Sequence, residues 1–125
     1  MTGDQDSTAR LMDDMDPSLL DLLRTRINTF IKWDLVRFFH ANPHTAEAAE
    51  TLAHHLGRDV RVVETELREL VQAGVLVAEE LMADVPVYAL ATDGRMMPLL
   101  DSFMQACAER QFRLKATYHI IRSLR

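Results

Sequence analysis

Five histidines and one cysteine are the residues of this chain that could bind a transition metal. His54 and His55 are adjacent, so in a helix their side chains would point about 100° apart and could not easily share one ion. His40 and His44 flank a turn and could chelate a metal, whereas His119 has no second histidine near it. Because the sequence has neither a cysteine pair nor a His/Asp cluster with ligand spacing, we predict no metal site and no cofactor.

The single cysteine, Cys107, is the strongest candidate for a reactive side chain. It falls on the apolar stripe of a predicted helix, where a thiol more often packs than reacts. One cysteine cannot form an internal disulfide, which favours the reducing cytoplasm as the location of the protein. The sequence contains no G-x-S-x-G, no P-loop and no G-x-G-x-x-G, and its carboxylates are spread over helix surfaces. We therefore predict no catalytic residue and no enzymatic activity.

Charged residues are unevenly distributed along the chain, whose net charge is −5. Residues 43–91 contain nine acidic and three basic residues, while residues 92–125 contain three acidic and six basic residues. A protein that contacts phosphates is expected to be most basic where it does so. The acidity of the middle segment therefore lowers the expectation of nucleic-acid binding there, although the charge of one face decides the matter.

Length and composition fit one globular domain, with 125 residues of which 48% are hydrophobic. Residues 1–15 are acidic and polar, and we expect a flexible leader rather than a secretory signal, because they lack a basic n-region and an apolar h-region. We assign residues 16–125 to a single domain with its core at 28–92. No apolar stretch approaches the roughly 18 residues of a membrane span, so we predict no membrane contact.

The first helical segment is marked by its ends. Asp16 can cap a helix that begins at Pro17, since proline loses nothing by lacking an N–H there. Apolar residues then recur at spacings of three and four, which predicts one long helix or two helices joined near residues 25–28. The pair formed by Asn42 and Pro43 ends the segment, since the residue before proline disfavours the helical conformation.

Two shorter amphipathic helices follow. We predict that Thr45 caps the first and that Gly57 ends it in a left-handed conformation. Asp59 can cap the second, which spans about residues 59–73 and ends at Gly74. The apolar positions of both helices predict that their inner faces are formed by Ala48, Leu52, Ala53, Leu56, Val63, Leu67, Leu70 and Val71.

A short hairpin follows these helices. Residues 75–82 and 86–90 form two runs with the composition of strands, joined by a turn at residues 83–85. Pro86 fits a sheet edge, where its missing N–H costs no ladder hydrogen bond. Two amphipathic helices followed by a hairpin predict a mainly α-helical fold with a small β-hairpin wing, that is, a winged helix-turn-helix.

The C-terminal segment, residues 93–125, predicts one long helix with apolar residues every seven positions. A helix of this length cannot bury such a face against so small a core, so we predict a second copy of the chain as its partner. The alternative is that the helix folds back along its own domain. The predicted dimer interface consists of Leu100, Met104, Cys107, Leu114, Tyr118 and Ile121.

On these residues the chain resembles winged-helix transcriptional regulators of the ArsR and MarR type, which occur in bacteria and archaea. The resemblance covers roughly residues 28–92, and the terminal helices match in architecture alone. It rests on Leu52, Ala53, Leu56, Gly57, Val63, Leu67, Leu70, the run from Ala73 to Val77, and the run from Val87 to Leu90.

The resemblance implies that the second helix of the motif binds double-stranded DNA as a recognition helix. Arg58, Arg61, Thr65 and Arg68 would then contact DNA, with the arginines reaching guanine edges or phosphates. Glu64 departs from the pattern, because a carboxylate repels phosphate. The hairpin departs as well, since Glu79, Glu80 and Asp84 stand where a basic wing would enter a groove; these charges could equally form a solvated surface.

Two functions follow as hypotheses. The first is a homodimeric, DNA-binding transcriptional regulator that reads two half-sites about one helical turn apart, with room for an effector pocket lined by Met and Phe between its helices. The second is a winged-helix protein–protein interaction module without DNA binding, which would use the acidic helix or the apolar terminal helices to bind a protein partner.

Overall fold

A computed structural model of the chain describes residues 15–82, 84–92 and 94–123. Within these ranges the protein is mainly α-helical with one small antiparallel sheet, and its architecture is that of a winged helix with flanking helices, as the sequence predicts. The elements in chain order are α1 (Pro17–Thr25), α2 (Phe30–Ala41), β1 (Glu47–Ala48), α3 (Ala49–Leu56), α4 (Val60–Gln72), β2 (Leu76–Met82), β3 (Val85–Leu90), α5 (Met96–Ala106) and α6 (Arg110–Ser123).

The N-terminal helical segment forms two helices rather than one. The Asp16 side chain accepts a hydrogen bond from Ser18 N at 2.8 Å, which confirms the predicted cap of α1. The Thr29 side chain caps α2 by accepting from Lys32 N at 3.1 Å, and Ile27 is fully buried between the two helices. Most of the predicted leader lies outside the described residues, but Met15 is buried in the core.

The segment before α3 differs from the prediction. Thr45 does not cap a helix, because Glu47 and Ala48 form strand β1 and α3 begins at Ala49. The backbone of β1 pairs with β3, a strand about forty residues further along the chain, and this distant pairing replaces the local cap. Gly57 then ends α3 in the left-handed conformation with φ of 66°, as predicted.

The sheet has three strands in the order β1-β3-β2, so β3 is the central strand rather than half of an isolated hairpin. Asp84, at the turn between β2 and β3, has a φ of 61°. Pro86 faces Glu80 of β2, while β1 pairs only with Val87 and Tyr88. At Pro86 the strand therefore has a neighbour on one side only, which is where a residue without an N–H is tolerated.

The prediction of one continuous C-terminal helix is wrong, because the chain turns at residues 107–109 and forms α5 and α6. Arg113 stabilises the turn by donating from Nη1 to the carbonyl oxygens of Cys107 and Ala108, at 2.9 and 3.1 Å. The turn lets α6 pack against α1, which buries Phe112 and Ile120 in the core of their own chain. The gain in buried apolar surface explains why the straight helix is not formed.

Candidate nucleic-acid interface

Helix α4 holds three of the four predicted DNA-binding residues, and Arg58 lies just before its N-cap. Asp59 caps the helix by accepting a hydrogen bond from Arg61 N at 2.8 Å, as predicted. Val63, Leu67 and Leu70 are fully buried and fix the orientation of α4 against α2, α3 and β2. Because the inner face is fixed in this way, the residues on the opposite side of α4 point to solvent.

Arg58, Arg61, Thr65 and Arg68 are all exposed. Arg61 and Arg68 are seven residues apart, so they lie about 10 Å apart along the helix axis and on the same side. The Thr65 hydroxyl between them donates to the carbonyl oxygen of Arg61 at 3.1 Å, which directs its proton to its own helix. The structure thus brings Arg61, Thr65 and Arg68 together on one face of α4, with the two arginines as its charged donors.

Most of the acidic residues of α4 are turned away from this face. Glu66 is buried, and it accepts a hydrogen bond from the Thr29 hydroxyl at 2.5 Å. Lys32 Nζ lies 2.5 Å from Glu69 Oε1 and 3.8 Å from Glu66 Oε2. Glu64 is half-buried and has no such partner among the described residues. The number of acidic residues in α4 is therefore larger than the negative charge that its exposed face presents to a ligand.

Lys32 is a buried, ion-paired residue that was not singled out from the sequence. It is only 4% exposed. Its position carried a signal, because Lys32 lies three and four residues before the fully buried Leu35 and Val36, on the inner side of α2. A lysine in that register needs a buried carboxylate as its partner, which the sequence alone does not name.

The hairpin keeps the acidic character that the sequence indicates. Glu79, Glu80 and Asp84 are exposed. Two apolar side chains accompany them, since Val77 and Val85 are 39% and 51% exposed. This surface has neither the basic residues that favour a phosphate backbone nor the full polarity of a purely solvated wing.

The residues predicted for the dimer interface are divided between two environments. Leu100 is fully buried in the core of its own chain, while Met104 and Cys107 are half-buried. The three residues of α6 remain at the surface: Leu114, Tyr118 and Ile121 are 56%, 40% and 56% exposed. Their spacing of four and three places them on one side of α6.

A groove of about 410 Å³ lies between α2, α5 and α6, with Met104 and Cys107 in its wall. Phe30 and Trp33 supply aromatic surface, and Arg113 also lines the groove. A pocket lined by Met and Phe was predicted between the helices of two chains, whereas this groove is formed within one chain.

Cys107 has the properties of a packed thiol. Burial raises its pKa from 9.0 to about 11, although a hydrogen bond with Trp33 and the charges of Arg113 and Arg37 act in the opposite direction. The thiolate is the reactive form, so this shift reduces its fraction roughly 100-fold at neutral pH. We expect iodoacetamide at pH 8 to alkylate Cys107 at least tenfold more slowly in the native protein than in urea, as followed by mass spectrometry. Equal rates would show that the thiol is accessible and ionisable.

The histidines do not converge on a common site. His40 contacts Asp101 Oδ1 at 2.8 Å and His55 packs its ring against Phe38, while His44 and His54 are exposed. The described residues contain no cluster of three or more His, Cys, Asp or Glu that could hold a metal ion. Within the same ranges, no helix is both long and apolar enough to span a membrane.

His119 is buried between α6 and α1, and its Nε2 has no hydrogen-bond partner within the part of the chain that the structure describes. Burial lowers its pKa below 6.5, and the charges of Arg24 and Arg122 lower it further. The unfolded ring therefore takes up a proton at a higher pH than the folded ring. His119 leaves the free energy of unfolding unchanged above about pH 6.5 and lowers it as the pH falls from there through the lower folded pKa.

We expect the wild type to lose more free energy of unfolding between pH 7.5 and pH 5 than a His119→Gln variant does, as measured by urea denaturation. His54→Gln is the matched control, because His54 is exposed, and it should follow the wild type. Parallel pH profiles for the wild type and His119→Gln would contradict the assignment.

Comparisons with known proteins add little to this geometry. No protein-family model matches the chain, and no curated protein matches it. Among solved structures, the chain is similar to one described as a possible transcriptional regulator from Methanosarcina mazei Go1, with 14% sequence identity and a TM-score of 0.47. The alignment covers 86% of this chain and 82% of the other. The roles of individual residues therefore rest on the geometry of this chain.

Proposed function

We propose that this protein is a homodimeric, DNA-binding transcriptional regulator of the ArsR/MarR type, and that α4 is its recognition helix. The observation that carries this proposal is the charge arrangement on α4. Arg61 and Arg68 are exposed on α4 and Arg58 is exposed just before its N-cap, while Glu66 and Glu69 are paired with Lys32 of α2. An exposed arginine face on the second helix of a winged helix-turn-helix suits both the major groove and the phosphates beside it.

The dimer is proposed from α6. Leu114 and Ile121 expose more than half of their surface on one side of this helix. A symmetric contact between two α6 helices would remove this apolar surface from water and would relate two recognition helices by a two-fold axis. Such a dimer would read two half-sites about one helical turn apart. It would be a cytoplasmic binding protein and not an enzyme, and the groove between α2, α5 and α6 offers space for an effector.

Binding to duplex DNA is tested by fluorescence anisotropy. A labelled duplex of random sequence at about 50 mM salt should bind, and the affinity should fall as salt is raised because phosphate contacts release counterions. A low-salt titration without any change in anisotropy would refute DNA binding, since the nonspecific electrostatic component is strongest under those conditions.

The second candidate is a protein–protein interaction module, and apolar exposure on α4 and on the hairpin favours it. Val62 on α4 is 46% exposed, and Val77 and Val85 of the hairpin are exposed as well. A groove of about 200 Å³ lies between α4 and the sheet, with Val71 and Tyr88 in its wall. Apolar surface with acidic residues around it suits a protein partner more than a phosphate backbone. Capture of duplex DNA alone from a host extract would count against this function.

A further inference from the structure

The segment that joins α1 to α2, together with the first turn of α2, contacts the recognition helix at several points. Arg26 Nε donates to the carbonyl oxygen of Ala73, the C-cap of α4, at 3.0 Å. Thr29, the cap of α2, donates to Glu66, and Lys32 contacts both Glu66 and Glu69. We call residues 26–32 the α1–α2 clamp. It holds α4 at its middle and at its C-terminal end.

Lys32 is the centre of this clamp. Besides the two glutamates, its Nζ donates to Asn28 Oδ1 at 2.8 Å, so three side chains provide oxygen atoms for one buried ammonium group. The side chain of Glu66 is 12% exposed and that of Glu69 is 48% exposed. Glu66 has little access to water and therefore depends on Lys32 for compensation, whereas water also solvates part of Glu69.

The geometry of α4 connects this cluster to the arginine face. Glu66 lies about 140° around the helix from Arg61, and Glu69 about 80° from it. Drawing the two glutamates towards α2 therefore turns Arg61 and Arg68 outward. If the ammonium group is removed, two uncompensated carboxylates remain on the helix that faces the phosphates.

We infer that Lys32 is a positioning residue for DNA binding: it is shared by Glu66 and Glu69, compensates one of their two negative charges, and sets the rotation at which the arginine face is presented. This inference rests on the proposed function, since it assigns a role within the same interface. Lys32 does not contact DNA itself, because it is buried on the far side of α4.

Lys32→Met keeps an unbranched side chain that is one atom shorter and removes its charge. We expect the folded variant to bind duplex DNA about tenfold more weakly than the wild type, because its recognition helix carries two unpaired carboxylates. Adding Glu66→Gln and Glu69→Gln should return the affinity to within about threefold of the wild type, since the charge imbalance is then removed. Lys115→Met, the same change on a half-buried lysine of α6, is the control and should leave the affinity unchanged.

If the role of Lys32 were purely structural, Lys32→Met would lower stability and the two glutamine substitutions would not restore the DNA affinity. Affinity and urea denaturation are therefore measured on the same samples. If Lys32→Met does not fold, the comparison is made between Lys32→Met/Glu66→Gln, which leaves the half-exposed Glu69 uncompensated, and the triple variant. The former should bind about fivefold more weakly. Equal affinities would overturn the inference. If the wild type binds no duplex at all, the proposed function itself fails, and this result is distinct from equal binding by the wild type and the variants.

Discussion

Replacing Arg61 and Arg68 together by alanine should weaken duplex DNA binding roughly 30-fold or more. Each arginine in a base or phosphate contact contributes about 1–3 kcal/mol, so losing both costs about 2 kcal/mol or more. The two side chains are exposed and make no ion pair among the described residues, so the fold should be unaffected. Fluorescence anisotropy at fixed salt measures the change, and circular dichroism checks that the helices are retained.

The matched control for this pair is Arg24→Ala with Arg37→Ala. These arginines are also exposed, but they lie on α1 and α2, away from the arginine face. The control removes the same net charge and should change the affinity less than about threefold at 150 mM salt, where distant charges are screened. If both double variants lose affinity equally, binding is nonspecific attraction by the whole protein and α4 is not the recognition helix.

Introducing glutamate at Leu114 and Ile121 should separate the proposed dimer. Both side chains are more than half exposed in the single chain, so the substitutions should not disturb its core. In a two-fold dimer each substitution occurs twice, which loses apolar burial worth about 1.5–3 kcal/mol per side chain and places like charges together. We expect the dissociation constant of the dimer to rise at least about 100-fold, as measured by sedimentation equilibrium.

Val85→Glu tests whether any added surface charge has the same effect. Val85 is 51% exposed, but it lies on the hairpin rather than on α6. This variant should have the oligomeric state of the wild type. A wild type that sediments as a monomer at all concentrations, or a Leu114→Glu/Ile121→Glu variant that remains dimeric, would refute the α6 interface.

Local signals in the sequence predicted the parts of the fold that depend on local physics. Asp16 and Asp59 cap helices because their side chains reach backbone N–H groups two residues ahead. Gly57 ends α3 because it readily adopts a positive φ. These features need no knowledge of the rest of the chain, so their positions were predictable to the residue.

Features that depend on distant contacts were not predictable in this way. Strand β1 exists only because Glu47 and Ala48 meet Tyr88 and Val87 of β3. The heptad spacing in residues 93–125 indicated a straight helix, whereas the break at residues 107–109 follows from the packing of α6 on α1. In both cases a distant partner decides between two conformations that are each acceptable locally.

The candidate site was predictable only in part, because it too depends on contacts between distant residues. The positions of the arginines on α4 could be predicted from helix periodicity, but the environment of the glutamates could not. Lys32 lies 37 residues from Glu69 in the sequence, and only the packing of α2 on α4 brings them together. The acidic composition of residues 43–91 therefore indicated a more negative surface than the one that α4 exposes.

The most direct test of the account is an NMR titration of the ¹⁵N-labelled protein with a short DNA duplex at low salt. Backbone and arginine side-chain signals should shift at Arg58, Arg61, Thr65 and Arg68, with smaller changes at the acidic hairpin residues Glu79 and Glu80. Signals that stay unchanged throughout α4, or shifts confined to other surfaces, would contradict the claim that its exposed arginine face binds DNA.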